Sequence, residues 1–302
     1  MNKLERDRFI KKTSGTLKEL FKTALKNGKL FEFSCCLIRV GGMEDAGWDD
    51  FEESQKTVDL MQNLCPGRLT DSDKKQVQDR INLFTYCHLI EAKAPYHIIA
   101  NLLRLANGNH YSISPFFSKK KVPRTLVIPP KPTYPKEKLA IIKVLDTNNL
   151  IYPVLKEIYS DVIRNAFYHS DFVIEKNEFR IPSGVGTIIS IKEVRNTLER
   201  GIIFYQLLFQ IYYSYKFSFK KFKDRVHDFD KRYGEKIEFL VTNKGELFGF
   251  EVSRPNGTNS RFTRTEKGVG GINMTWGDDG EVGFFMGDLD KLKTSLQRPT
   301  GA

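Results

Sequence analysis

The sequence predicts a mainly α fold with added β (α+β): a helical bundle carrying a small β-hairpin insert, followed by a C-terminal β element. Three observations predict it. Apolar residues recur at helical spacing over several long stretches bounded by capping residues. Short β-rich runs cluster between residues 172 and 191. Near residue 240 the apolar period switches to two around an Asn-Lys-Gly turn. With 302 residues, 40% hydrophobic and 28% charged, the chain has the composition of an ordinary globular protein, long enough for one large domain or two smaller ones.

Four regions follow: 1–118, mostly helical and able to complete the bundle; 119–137, a linker or long loop; 138–232, the helical core with its hairpin; and 233–302, small and β-rich with a tail. The first opens with a basic amphipathic helix near Lys3 to Asn27, which Gly28 is placed to cap. Phe31 to Val40 reads as a strand or a short buried helix, which periodicity does not decide, and Gly41-Gly42 breaks it. Asp45, Asp49, Asp50, Glu52 and Glu53 lie before or at the start of a helix over Phe51 to Leu64, where acids suit the dipole better than they suit a metal. Thr70-Asp-Ser-Asp73 is an N-cap cluster for a helix over Lys74 to Ala92, with Val77, Ile81, Phe84, His88 and Leu89 on one side. Pro95 starts another helix, stopped by Gly108 after Asn107.

Five prolines fall in "KKKVPRTLVIPPKPTYPKEK", which predicts extended backbone over residues 119–137. Pro153 then opens a helix with an apolar stripe at Leu155, Ile158, Tyr159, Val162 and Ala166. Strand-like runs follow at Phe172–Glu175, Glu178–Ile181 and Thr187–Ile191, and a long helix begins near Glu193. In the last region, "KIEFLVTN-KG-ELFGFEVSR" reads as two strands joined at Asn243-Lys-Gly245, and "EVGFFMGDL" as a third. Arg254 to Thr275 between them is glycine-rich, basic and hydroxyl-bearing. Its Gly268-Val-Gly-Gly271 lacks the G-K-[ST] ending and the following helix of a phosphate loop. The final "LQRPTGA" reads as a disordered tail.

The chemistry-bearing stretch is Tyr159-Ser-Asp-Val-Ile-Arg-Asn-Ala-Phe-Tyr-His-Ser-Asp-Phe172. Arg164, Asn165 and His169 bring a fixed cation, a polar orienter and a titratable imidazole to the end of one helix. At about 100° per residue, Arg164 projects opposite the apolar stripe, while Asn165 and His169 share a flank of it. Bringing Arg164 and His169 to one phosphate needs a long arginine reach or a second copy of the helix. The same residues also suit a plain helix C-terminus, where a charged histidine is favourable with the dipole.

"IRNAFYHSDFVIEKNEFRI" resembles the signature helix of the HEPN superfamily (higher eukaryotes and prokaryotes nucleotide-binding domain), whose R-N-x-x-x-H pattern ends a bundle helix. The order of helix, strands and helix over roughly residues 138 to 225 is similar to that of HEPN proteins from bacterial defence and toxin systems. The resemblance implies a metal-independent endoribonuclease needing no cofactor, with its site completed in a homodimer. Arg164 would hold the scissile phosphate and His169 would move protons at the 2′-hydroxyl or leaving 5′-oxygen. Asn165 would orient the pair. It also implies RNA as substrate and admits a cognate antitoxin or partner protein. Some members are non-catalytic modules that bind RNA, a nucleotide or a protein, and that is the alternative reading.

Net charge is +11, which suits a polyanionic partner. Lys216, Lys220, Lys221, Lys223 and Arg225 interleave with Tyr215, Phe217, Phe219 and Phe222, a pattern that can track phosphates and stack bases or can simply be lysines snorkelling around core rings. Other signals are weaker. Glu91-Ala-Lys93 has nuclease-like E-x-K spacing without a nearby Pro-Asp. Cys87 and His88 are neighbours on a helix and point apart. His97, His110 and His227 have no metal-like spacing, and Cys35, Cys36, Cys65 and Cys87 form no CxxC. No apolar run approaches the length of a membrane span, and no apolar segment follows the first residues as in a signal peptide. The expected compartment is the cytoplasm, with no membrane partner.

Overall fold

A computed structural model describes residues 1–41, 50–64, 71–116, 134–175, 177–182, 186–231, 233–265, 268–276 and 282–284. The fold is mixed α+β, as the pattern predicts. Helices α1 (Lys3–Asn27), α2 (Leu30–Ile38), α3 (Asp50–Gln62), α4 (Asp71–Glu91) and α5 (Lys93–Ala106) precede the undescribed stretch 117–133. After it come α6 (Pro135–Leu145), α7 (Tyr152–Ile158), α8 (Asp161–Tyr168) and the long α9 (Ile191–Ser218). Strands β1 (Val173–Glu175), β2 (Glu178–Ile181) and β3 (Thr187–Ser190) form an antiparallel sheet between α8 and α9. A 3-10 turn, Phe219–Phe222, leads into β4 (Val226–Asp230), β5 (Glu235–Val241), β6 (Leu247–Ser253), β7 (Asn259–Thr265) and β8 (Gly268–Ile272), a five-stranded antiparallel meander. Strands β9 (Met274–Trp276) and β10 (Val282–Phe284) pair with each other.

α9 is the axis of the bundle: α1, α4 and α7 all pack on it, and α5 packs on α1. Helices from before and after residues 119–137 thus share one hydrophobic core. The linker expectation falls mostly outside the described residues. Pro135 does not extend it, however, but occupies the first turn of α6, where a missing N–H costs nothing.

Several local outcomes differ from the pattern for clear reasons. Gly28 caps α1 with φ at −85°, so left-handed freedom is not its role. A β-carbon there would sit 2.9 Å from the Ala24 carbonyl and 3.1 Å from Leu105, so its smallness lets α1 approach α5. The ambiguous Phe31–Val40 run resolves as α2. It is buried on all sides between α5 and β6, which erases the periodicity that would have identified it. On α4 the buried residues are Asp79, Leu83, Thr85, Tyr86, Cys87, Leu89 and Ile90, while Phe84 is exposed. That helix packs on α9 on one side and on α3 and α8 on others, so its buried band is wide and offset from the expected stripe.

The C-terminal correction is larger. Within residues 254–275, to which the pattern assigned no individual strands, lie β7, β8 and part of β9, and residues 226–230 form β4. Gly268 to Gly271 lies in β8. The last seven residues, Asp45, Asp49 and Cys65 lie outside the described residues. Among the described residues, no helix is long and apolar enough to cross a membrane.

His97 on α5 is part-buried. Its Nε2–H donates to the Ile113 carbonyl at 2.8 Å, so Nδ1 is left to accept from the Asn101 amide at 3.3 Å. Burial lowers its pKa to about 4 from 6.5, and the cations Arg39, Arg264 and Lys138 push the same way against the Ile113 bond. The neutral ring is what the fold accommodates. Its stabilising effect is complete above the unfolded value of 6.5 and is lost as pH falls from there toward 4. Denaturant unfolding should show about 2 kcal/mol lost between pH 7 and 5 from this residue. His97→Gln should flatten that dependence; an unchanged slope would mean the ring charges at no cost.

Candidate active site

The residues 153–168 do not form one helix. The chain extends at Tyr159 (φ −91°, ψ 126°), and α8 restarts with Ser160 as its N-cap, whose hydroxyl accepts from the Ile163 N–H at 3.3 Å. The hydroxyl of Tyr86, a residue buried on α4, bridges the break. It donates to the Ile158 carbonyl at 2.7 Å and accepts from the Ser160 N–H at 2.9 Å. Two backbone groups that an uninterrupted helix would pair internally are satisfied by one side chain. At the other end of α7, the Asp146 carboxylate accepts from the N–H groups of Leu150, Ile151 and Tyr152.

The break resets the helical wheel. On α8, Ile163 and Ala166 are buried, whereas Val162, expected on the apolar stripe, is 48% exposed. Arg164 turns inward along α4 instead of standing in solvent. Its Nε donates to Glu91 Oε1 at 2.5 Å, its Nη1 donates to Asn165 Oδ1 at 2.9 Å, and its guanidinium lies 5.1 Å from the centre of the Tyr168 ring. Tyr168 is itself tied to the Cys87 carbonyl through its hydroxyl at 3.2 Å. Burial opposes the charge on Arg164, but the bond to Glu91 and the attraction of its carboxylate more than offset this and hold its pKa above the usual value. Burial first, and then the Glu91 charge, push the Tyr168 pKa up to about 12, so its hydroxyl keeps its proton.

His169 is the C-cap of α8, with its N–H bonded to the Asn165 carbonyl at 3.0 Å and its side chain exposed. Among the described residues, no hydrogen bond joins its imidazole to Arg164 or Asn165. One chain therefore brings Arg164 and Asn165 together and leaves His169 apart, at the negative end of the helix.

Glu91 and Tyr168 are the site residues that the sequence pattern did not single out as such. Tyr168 stands four residues after Arg164, a helical contact spacing that could have been read. Glu91 is 73 residues away and was considered only as part of E-x-K. Lys93 starts α5, and the carboxylate of Glu91 is engaged with Arg164. Among the described residues, no group of three or more His, Cys, Asp or Glu is placed to hold a metal ion.

The basic set divides. Lys216 is buried, its ammonium bonded to Glu246 Oε1 at 2.5 Å and lying over the rings of Tyr212 and Tyr213. It joins α9 to the β5–β6 hairpin and drops out as a surface contact, because reaching a phosphate would mean breaking a part-buried ion pair. Lys220, Lys221 and Arg225 are exposed around the 3-10 turn, and half-buried Lys223 reaches Asn243 at 3.3 Å. Lys244 is exposed on the β5–β6 turn, and Phe217, 43% exposed, is in the last turn of α9. Comparison with protein-family models, with curated proteins and with solved structures finds no match for this chain.

The break depends on Gly201 of α9, where a β-carbon would lie 2.8 Å from the Tyr86 ring. Gly201→Ala should lower the unfolding free energy by about 1–3 kcal/mol through overpacking, although alanine is the better helix former by about 1 kcal/mol. Tyr86→Phe keeps the ring and removes the bridge, at a cost of about 1–3 kcal/mol for the stranded backbone groups. Chemical denaturation checks both, and a stabilised Gly201→Ala would show that the Tyr86 ring is not held in place.

Proposed function

We propose that this chain is a metal-independent endoribonuclease of the HEPN type, acting as a homodimer. The observation that carries the reading is that one two-turn helix, α8, carries a fixed guanidinium and its amide neighbour in its middle and a solvent-facing imidazole at its C-cap. RNA supplies its own nucleophile. The 2′-oxygen attacks the adjacent phosphorus, the bond to the 5′-oxygen breaks, and a 2′,3′-cyclic phosphate and a free 5′-hydroxyl result. His169 of one copy takes the 2′-hydroxyl proton and a second imidazole gives one to the leaving oxygen. Arg164 stabilises charge developing on the phosphoryl oxygens, and Asn165 holds its Nη1. The basic turn formed by Lys220, Lys221, Lys223 and Arg225 tracks the RNA backbone away from the cleavage point, with Phe217 available to a base. Free Cys35, Cys36 and Cys87 accord with work in the cytoplasm.

One contact favours a second reading, a non-catalytic RNA-, nucleotide- or protein-binding module with the same fold. The Arg164–Glu91 pair already satisfies part of the guanidinium within the chain.

Purified protein incubated with structured RNA in EDTA separates the two. The proposal expects 2′,3′-cyclic phosphate ends and a loss of about 10²-fold or more in His169→Ala, the usual size of a general acid–base contribution. RNA bound but left intact by the wild type establishes the module. Equal cleavage by His169→Ala removes His169 from the chemistry.

A further inference from the structure

We infer that Glu91 is a positioning residue for Arg164, aiming the guanidinium at its ligand rather than merely neutralising it. The inference rests on the endoribonuclease reading of the same site.

Three contacts fix the guanidinium in different directions. Glu91 takes Nε, Asn165 takes one N–H of Nη1, and the Tyr168 ring lies against its face. Neither bond uses Nη2, so the distal end of the fork is left for a phosphate. Arginine and Glu91 side chains are 21% and 29% exposed, so the pair is shielded from bulk water without being sealed from a substrate. A guanidinium on a flexible stem would sample many directions. Held this way, the side-chain entropy is lost on folding instead of on substrate binding.

Glu91 also cancels charge. With it present, Arg164 attracts a ground-state phosphate monoester or diester less strongly than a bare arginine would. Its directional effect grows as charge builds on the phosphoryl oxygens in the transition state. The two effects have opposite signatures in kinetics. Removing Glu91 should lower kcat through misaim, and it should leave KM for RNA unchanged or lower it, because the local charge rises by one.

Glu91→Ala should therefore reduce kcat by about 10–100-fold, the range seen when an orienting partner is removed, without a rise in KM. Glu91→Gln keeps an acceptor oxygen at the same reach and should recover about tenfold in kcat over Glu91→Ala. A purely structural role would lower the folded fraction, and circular dichroism at the assay temperature would register it. Glu91→Ala cleaving as fast as wild type, or a Glu91→Gln no better than Glu91→Ala, overturns the inference. NMR of the Arg164 Nε–H provides a readout independent of cleavage. A slowly exchanging resonance in the wild type should vanish in Glu91→Ala, return in Glu91→Gln and shift on titration with inorganic phosphate. If the wild type cleaves no RNA, the endoribonuclease reading fails, yet this resonance still decides whether Glu91 positions Arg164. Its persistence in Glu91→Ala sinks the positioning role.

Discussion

The hydroxyl of Tyr86 occupies the gap between α7 and α8, and the geometry of the candidate site depends on it. A helix that stops and restarts leaves carbonyls at one end and N–H groups at the next, and inside a protein each would be costly without a partner. Tyr86 answers one of each from a buried position on α4, and Gly201 leaves room on α9 for its ring. Because α8 restarts from Ser160, its buried face is Ile163 and Ala166. Arg164 is thereby directed along α4 to Glu91, the last residue of that helix. Had the helix continued from Pro153, Arg164 would project into solvent opposite the core.

A second set of contacts fixes the C-terminal sheet to the helices. Arg264 on β7 donates to the carbonyls of Ile38, Arg39 and Gly41 at 2.7–2.9 Å, filling the acceptors left open where α2 ends and meeting the negative end of its dipole. Phe31 of α2 packs edge-on against Phe250 of β6, and Lys216 ties α9 to Glu246. At the hairpin turn Gly245 adopts φ +97° with the Lys220 stem where a β-carbon would be, so the turn and the 3-10 segment lie in contact. The basic turn is thereby packed against the hairpin turn.

Much of this was legible from the sequence, and what was missed shares a physical cause. Capping chemistry and amphipathic period placed α1, α5, α9 and the β5–β6 hairpin, because each is written in neighbouring residues. The break at Tyr159 was not, since its determinants, Tyr86 and Gly201, act through space from other helices. Lys216 was assigned to the surface because its neighbours in sequence are lysines, while its partner Glu246 lies 30 residues on. The strands β7 and β8 were hidden by glycine and arginine content that discourages a strand locally but is tolerated when a register such as Phe262 opposite Phe250 buries the alternate positions. Within the candidate site, Arg164, Asn165 and His169 were legible as types, and their divergence was legible as spacing. The tie to Glu91 was not.

That divergence constrains any chemistry. Positions 164 and 169 are about 140° apart around a helix, and the structure adds that one side chain turns inward to α4 while the other caps the helix in solvent. Among the described residues no hydrogen bond joins the His169 ring to that guanidinium, which is held at Nε, Nη1 and the Tyr168 ring. A phosphate at the open end of Arg164 must then receive its proton-transfer group from elsewhere. A second copy of α8 is one source within the chain's own means, and exposed Val162, Tyr168 and Val173 give that end of the molecule apolar surface on which two copies could meet. The proposed chemistry thus stands or falls with the dimer, whereas the setting of Arg164 is already complete in one chain.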